Sequence, residues 1–283
     1  MNVQDRRRLL GPANASPIVF SDVKEKKSKK IQAKPDDEIS KMFINTGLVK
    51  NCDGSAYIEV GNTIIQVSIY GPRPIRGSFI DKAILSTECR FLPYLSQPND
   101  SISRLTSSTS LITNYNGKLN LSNIEQKISS YIESCFLSCI YLENYPKSSI
   151  DIFIKILSVD TNLLNLVNDV VHCCSLAMVD AQIESKDLIT SGNLRYLKSN
   201  NHIIMDPKCK DKDKDITNEV VEEGKLDLVV SFMNSRNDEI VGFWCEGNDT
   251  LEDDVLEKLI ERCNDMSKEI RKNINFYLIE SLE

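Results

Sequence analysis

Apolar and polar residues alternate most cleanly between Ser55 and Tyr70. In SAYIEV, Ala56, Ile58 and Val60 share one face; in TIIQVSIY, Ile65, Val67 and Ile69 do the same, and Gly61-Asn62 stands between the two runs. Alternation at period two around a Gly-Asn pair predicts a β-hairpin. The second strand runs into Gly71-Pro72-Arg73-Pro74-Ile75-Arg76-Gly77. Its prolines and glycines predict an irregular, stiff and exposed loop. Arg73 and Arg76 sit on that loop, where a scaffold would present cations to a polyanion.

The period changes from residue 120. Ser122-Asn123-Ile124-Glu125 has the pattern of a capping box. Leu121, Ile124, Ile128, Tyr131, Cys135, Cys139 and Leu142 follow at spacings of three and four, predicting a helix that ends at Tyr145-Pro146. SIDIFIKILSV then returns to period two, with Ile150, Ile152, Ile154 and Ile156 on one face and Phe153 and Leu157 on the other, as in a central strand. Residues 162–183 are apolar almost all round and predict a deeply buried helix. LDLVVSF and EIVGFW predict a second hairpin around residues 234–238. A last helix should begin near Thr250, where Glu252, Asp253 and Asp254 complement the positive end of its dipole. Two stretches, 96–119 and 191–224, lack periodicity and read as irregular insertions. The order of elements implies an α/β sandwich.

Composition narrows the class. A chain of 283 residues, 41% hydrophobic, can build one large core or two small ones. No apolar run approaches the ~20 residues of a membrane span, and the start MNVQDRRR carries charge where a secretory signal would be apolar. Nine scattered cysteines with no CxxC pair read as reduced thiols of the cytosol or nucleus. With two histidines in the chain, a four-ligand zinc site is not expected. The net charge of −7 argues against a generic nucleic-acid-binding surface. Residues 1–40, however, hold nine Lys or Arg against six Asp or Glu, so this arm is +3 and the remaining chain −10. Its run KEKKSKK predicts a solvated, largely flexible segment.

Four short elements stand in order along the first strands: Thr46-Gly47, Gly54-Ser55-Ala56, Gly61-Asn62-Thr63 and Gly71-Pro72. In that order they resemble the RNase PH family. MNVQDRRRLLGPA and YGPRPIRGSF are similar to fungal members that serve as a ring subunit of the eukaryotic RNA exosome. The resemblance is dense over 1–13 and 46–79 and extends in pattern over 120–283. It implies an α/β (α+β) RNase PH-like fold, two mixed β-sheets sandwiching and flanked by helices. The fold would form a single domain at 41–283 behind the 1–40 arm. It also implies partners: other RNase PH-like ring subunits, a cap subunit with an oligonucleotide-binding barrel, and single-stranded RNA in the channel, with no membrane. Nucleus, nucleolus and cytoplasm are the implied locations, and rRNA processing and mRNA turnover the implied processes.

Phosphorolysis needs an anion cradle of backbone amides and cations, with acidic help for a metal or proton. The resemblance places that cradle, a Gly-Gly-Thr-Arg-type turn in active members, just before the buried helix. Here the place reads Asp160-Thr161-Asn162-Leu163-Leu164, with no glycine pair, no arginine, and an aspartate that repels phosphate. The family's acidic pair follows a later strand; the nearest candidate is Asp206, followed by PKCKDKDKD rather than by the usual acidic spacing. Arg90, on a strand ending FLP, reads as a structural or RNA-backbone residue. The expectation is a non-catalytic subunit with RNA-binding residues Arg73, Arg76 and Arg90 and no cofactor or metal. The alternative is a phosphorolytic 3′-to-5′ exoribonuclease with a diverged site, and a third reading is an unrelated enzyme on a similar scaffold. His172 and Ser175 lie on an apolar helix and read as core. The aromatic residues are few and dispersed, so no base-stacking platform is expected.

Overall fold

The computed structural model describes residues 38–77, 79–96, 121–198, 201–207, 225–247 and 253–281. The RRRLLGP start, most of the basic arm and nearly all of 96–119 lie outside them, so those expectations have no structural counterpart. Residues from Asp36 onward form one unit.

The first sheet holds β1 (Met42–Thr46), β2 (Gly54–Val60), β3 (Thr63–Pro74), β4 (Ile84–Phe91) and β5 (Ser148–Ser158), in the order β1-β2-β3-β5-β4. Helix α1 (Ser122–Cys139) lies in the connection from β4 to β5. That crossover is why these two strands alone in the sheet run parallel. The second sheet, antiparallel throughout, holds β6 (Ile189–Leu197), β7 (His202–Met205), β8 (Lys225–Met233) and β9 (Glu239–Gly247), in the order β7-β6-β8-β9. Helix α2 (Leu163–Asp180) is buried between the sheets, while α3 (Asp253–Glu280) packs on β6 and β8. α2 is long and apolar enough to cross a membrane, but 89% of it is buried inside the molecule, so it is the core helix here.

The period-two segments fold as their patterns demand. Ala56, Ile58, Ile65, Val67 and Ile69 are at most 1% exposed, as are Ile150, Ile152, Ile154 and Ile156 of the interior strand β5. The Gly-Ser-Ala element has a steric reason. A Cβ on Gly54 would lie 2.5 Å from the carbonyl oxygen of Ala177, so only glycine lets the last turn of α2 settle on β2. The next residue fastens the contact: Ser55 N–H donates to the Asp180 carboxylate at 2.7 Å.

Three expectations need correction. The span 191–224 is not irregular at its start, because it contains most of β6 and all of β7. The helix predicted to reach Tyr145-Pro146 ends at Cys139, followed by a short 3-10 turn at Leu142–Asn144. The capping box does not form, since the N-cap is Leu121 and makes no side-chain cap bond. Glu125 instead accepts the Phe91 N–H at 2.8 Å, joining α1 to the end of β4.

β6 escaped detection because the side it turns to α2 is polar. Down α2 runs a matching stripe at helical spacing: Asn165, Asn168, Asp169, His172 and Ser175, all buried. Ser191 Oγ donates to Asn168 Oδ1 at 2.8 Å, and Ser175 Oγ donates to the Ile189 carbonyl. The Ser191 N–H donates to His172 Nε2 at 3.1 Å. His172 and Ser175 are core residues, as expected, and burial pulls the His172 pKa down to about 4.

Candidate nucleic-acid interface

The segment expected to be an irregular loop is in its first half the end of β3. The strand continues to Pro74, with a register shift between Tyr70 and Arg73, after which Arg73 and Pro74 pair with Ser149 and Ser148. A bulge tolerates proline because its extra residues owe the ladder no hydrogen bond. Gly71, at φ +131, is required there: a Cβ would sit 2.5 Å from the Ser149 carbonyl oxygen. Its N–H donates to the Asp53 carboxylate at 2.8 Å, and Ile75 N–H donates to the Lys147 carbonyl at 3.1 Å. Both ends of the segment are thus hydrogen-bonded to neighbouring strands and loops, and Arg73 and Arg76 are both exposed, as expected.

The two arginines are held differently. The Arg73 guanidinium carbon lies 4.4 Å from the centroid of the Tyr70 ring, a cation–π contact. Tyr70 in turn meets Phe153 edge-on, with centroids 5.6 Å apart. Arg73, Tyr70 and Phe153 thus form one cluster, a cation–π contact backed by an edge-to-face ring pair. Beside it opens a groove of about 470 Å³ walled by Arg73, Asp53, Asp180 and Gln182, among others. Arg76 stands past the end of the strand.

The place of the phosphate cradle is at the other end of α2, about 27 Å away for an 18-residue helix. Asn162 is the N-cap, in extended conformation. Asp160 accepts the Asn62 side-chain amide at 2.9 Å, and Thr161 Oγ1 lies 3.2 Å from Thr63 Oγ1. The residues before the helix are therefore tied to the β2–β3 hairpin. The first helical residues, Leu163 and Leu164, are buried. A carboxylate at this end already complements the dipole that would attract phosphate.

Asp206 is 9% exposed. Its Oδ2 accepts the Ser40 N–H at 2.9 Å, and its Oδ1 takes the Asn165 amide at 3.3 Å. Nearby Asp169 is buried, and its pKa is raised well above the ordinary carboxylate value, first by burial and then by the charge of Asp206. Among the described residues no cluster of His, Cys, Asp and Glu could hold a metal ion.

Residues 38–184 match the 3′ exoribonuclease family, domain 1, known as RNase PH. The chain belongs to the RNase PH family. It is similar over 98% of its length to the exosome complex component mtr3 of Schizosaccharomyces pombe, at 27% identity and covering 96% of that protein. The MTR3 component of Chaetomium thermophilum is 24% identical, with 91% of this chain and 92% of that protein aligned. In fold it resembles the crystal structure of rice Rrp46, with a TM-score of 0.65 at 17% identity over 87% of this chain and 98% of that one. A chain of the Archaeoglobus fulgidus exosome with RNA bound to the active site gives a TM-score of 0.59 at 15% identity, covering 86% of this chain and 92% of that one.

Within this RNase PH framework the structure separates the site residues named from sequence. Arg73 and Arg76 are both exposed, the first near the end of β3 and the second two residues past it. Arg90 does not join them: it lies on β4, where its Nε meets Glu88 at 2.7 Å and its Nη1 meets Glu125 at 3.5 Å. Its charge is matched by two carboxylates, which favours the structural reading over RNA contact. Tyr70, Asp53 and Asp180 were missed. The sequence carried no signal for Tyr70, because i and i+3 face opposite ways in a regular strand and only the register shift between Tyr70 and Arg73 brings them together; Asp53 and Asp180 are brought in by the fold alone.

Proposed function

We propose that this chain is a non-catalytic ring subunit of an RNA exosome, supporting 3′-to-5′ processing and decay of RNA by building the channel rather than by cutting. The family membership and the similarity to exosome components along nearly the whole chain support the ring role. One observation carries the loss of catalysis. The side chains at the expected phosphate site serve the fold and include no cation: Asp160 is held by Asn62 of the hairpin, Leu163 and Leu164 lie in the core, and Asp206 holds Ser40 and Asn165.

Assembly with neighbours is supported by apolar side chains left in solvent. Phe43 on edge strand β1 is 58% exposed, and Ile240 and Phe243 on edge strand β9 are about half exposed. Phe276 and Ile279 project from α3. Long edge strands and exposed apolar surface are features that partners cover. Other RNase PH-like subunits would take the lateral edges and a cap subunit with an oligonucleotide-binding barrel one face, with single-stranded RNA passing Arg73 and Arg76. Nuclear, nucleolar and cytoplasmic pools would go with that role, and the basic arm would stop short of Ser40, whose N–H is bonded to Asp206 of the domain.

Mass spectrometry of native complexes purified on this chain tests the proposal. RNase PH-type subunits and a barrel-containing cap should co-purify in fixed stoichiometry. A stable monomer at micromolar concentration that binds no such subunit would contradict it.

A further inference from the structure

The groove beside β3 is open and polar, and its walls combine one cation with two carboxylates. Asp53 and Asp180 are each fixed through Oδ2 by a backbone amide, those of Gly71 and Ser55. Their Oδ1 atoms make no hydrogen bond among the described residues. Arg73 is fixed as well, with one face of its guanidinium against Tyr70 and the residue otherwise exposed.

Charge decides what fits. A phosphate in the groove would meet two carboxylates for one guanidinium. An ammonium group would meet Arg73. A neutral planar ring with N–H donors on its edge meets neither objection, because it stacks on the guanidinium plane and donates to a carboxylate oxygen.

We propose that this groove is a single-nucleotide subsite. A nucleobase bearing an exocyclic amine stacks on Arg73 and donates that amine to Asp180 or Asp53, while Arg76 meets the phosphates. Tyr70 is the positioning residue that holds the guanidinium plane in register. The inference rests on the RNA-channel reading and adds what that reading lacks, a preference for amino-bearing bases over uracil, whose single edge donor, N3–H, is flanked by two carbonyl oxygens that a carboxylate repels.

The test uses the assembled complex containing the full chain, with fluorescence anisotropy across a salt series. The probes are oligo(C), oligo(U) and an abasic ribose-phosphate strand of equal length. Arg73→Lys keeps the charge and loses the plane, so oligo(C) should weaken at least about fivefold while the abasic strand and the salt slope stay unchanged. Tyr70→Leu, which removes the ring under Arg73, should weaken oligo(C) but not the abasic strand, Tyr70→Phe should restore the parent affinity, and Asp180→Asn should reduce the preference for oligo(C) over oligo(U). If Arg73→Lys binds oligo(C) as the parent does, the subsite is wrong. If Arg73→Ala weakens all three strands equally with a shallower slope, Arg73 is a phosphate ligand and the subsite is again wrong. Loss of a ring neighbour with unchanged RNA affinity would make the groove a protein contact. If the double change Arg73→Glu, Arg76→Glu leaves RNA binding intact, the channel reading itself fails.

Discussion

The carboxylate of Asp206 accepts the backbone N–H of Ser40 at 2.9 Å, tying the residue after β7 to the approach to β1 across 166 positions of sequence. A second bond from Asn165 fixes the same carboxylate to α2. Asp206 thus links strands and helix from three parts of the chain. Asp206→Ala should destabilise the chain by about 2–3 kcal/mol, because it leaves a buried amide N–H without its charged acceptor. Urea unfolding of the two proteins measures this; equal midpoints would mean the carboxylate is not structural.

Arg76 is the arginine expected to meet phosphate. In the assembled complex Arg76→Ala should weaken RNA of every sequence and lower the log–log salt slope by about 0.7, the value for one contact to a single strand. The ring should still form, because the shape of the segment is set by the fit of Gly71 against Ser149 and by the Asp53 bond. A slope equal to that of the parent would remove Arg76 from the RNA path.

Gly54 has no room for a side chain. Gly54→Ala should cost about 3 kcal/mol, since a Cβ would approach Ala181 N to 2.3 Å and both the helix end and β2 would have to shift. Thermal unfolding checks it; a loss below about 1 kcal/mol would show that α2 can move away freely.

The buried polar seam predicts opposing pH effects. His172 has a pKa of about 4 in the fold because burial disfavours the imidazolium, against ~6.5 when unfolded. Between those values the unfolded chain binds the extra proton, so stability falls as pH drops through that window, by up to ~1.4 kcal/mol per pH unit. Asp169 acts in the other direction. Its raised pKa means the folded chain keeps a proton that the unfolded chain releases above ~3.9, so its contribution is lost as pH rises. Asp169→Asn should therefore be more stable than the parent at neutral pH and lose stability more steeply on acidification. His172→Gln, which keeps an acceptor for Ser191, should flatten the profile between about pH 6.5 and 4. Unfolding midpoints over that range measure both; parallel profiles in all three proteins would contradict the account.

Sequence periodicity showed what it could show. The hairpin of β2 and β3, the interior strand β5, the all-round apolar α2 and the β8–β9 hairpin were legible, because their burial follows a regular apolar spacing. β6 was not, because Ser191, Gly192, Asn193 and Arg195 look like loop residues until Ser191 meets the polar stripe on α2 and Gly192 meets Cys263 of α3. The prolines of Gly71 to Pro74 signalled a break, yet a bulge lets that segment remain in the ladder. Glu125 had the spacing of a capping residue, but the Phe91 N–H lay within its reach and took the carboxylate. At the site, the arginines were legible as exposed cations. Their partners were not, because Tyr70 with Phe153, and Asp53 with Asp180, meet only after the sheet and helix have formed.

The residues before α2 should support no phosphorolysis of RNA. Single-stranded RNA incubated with the purified chain, inorganic phosphate and magnesium tests this directly, with nucleoside diphosphates as the readout. The account predicts no phosphate-dependent shortening by the chain alone. Release of nucleoside diphosphates that requires phosphate and disappears in Asp206→Asn would contradict it and establish a working exoribonuclease.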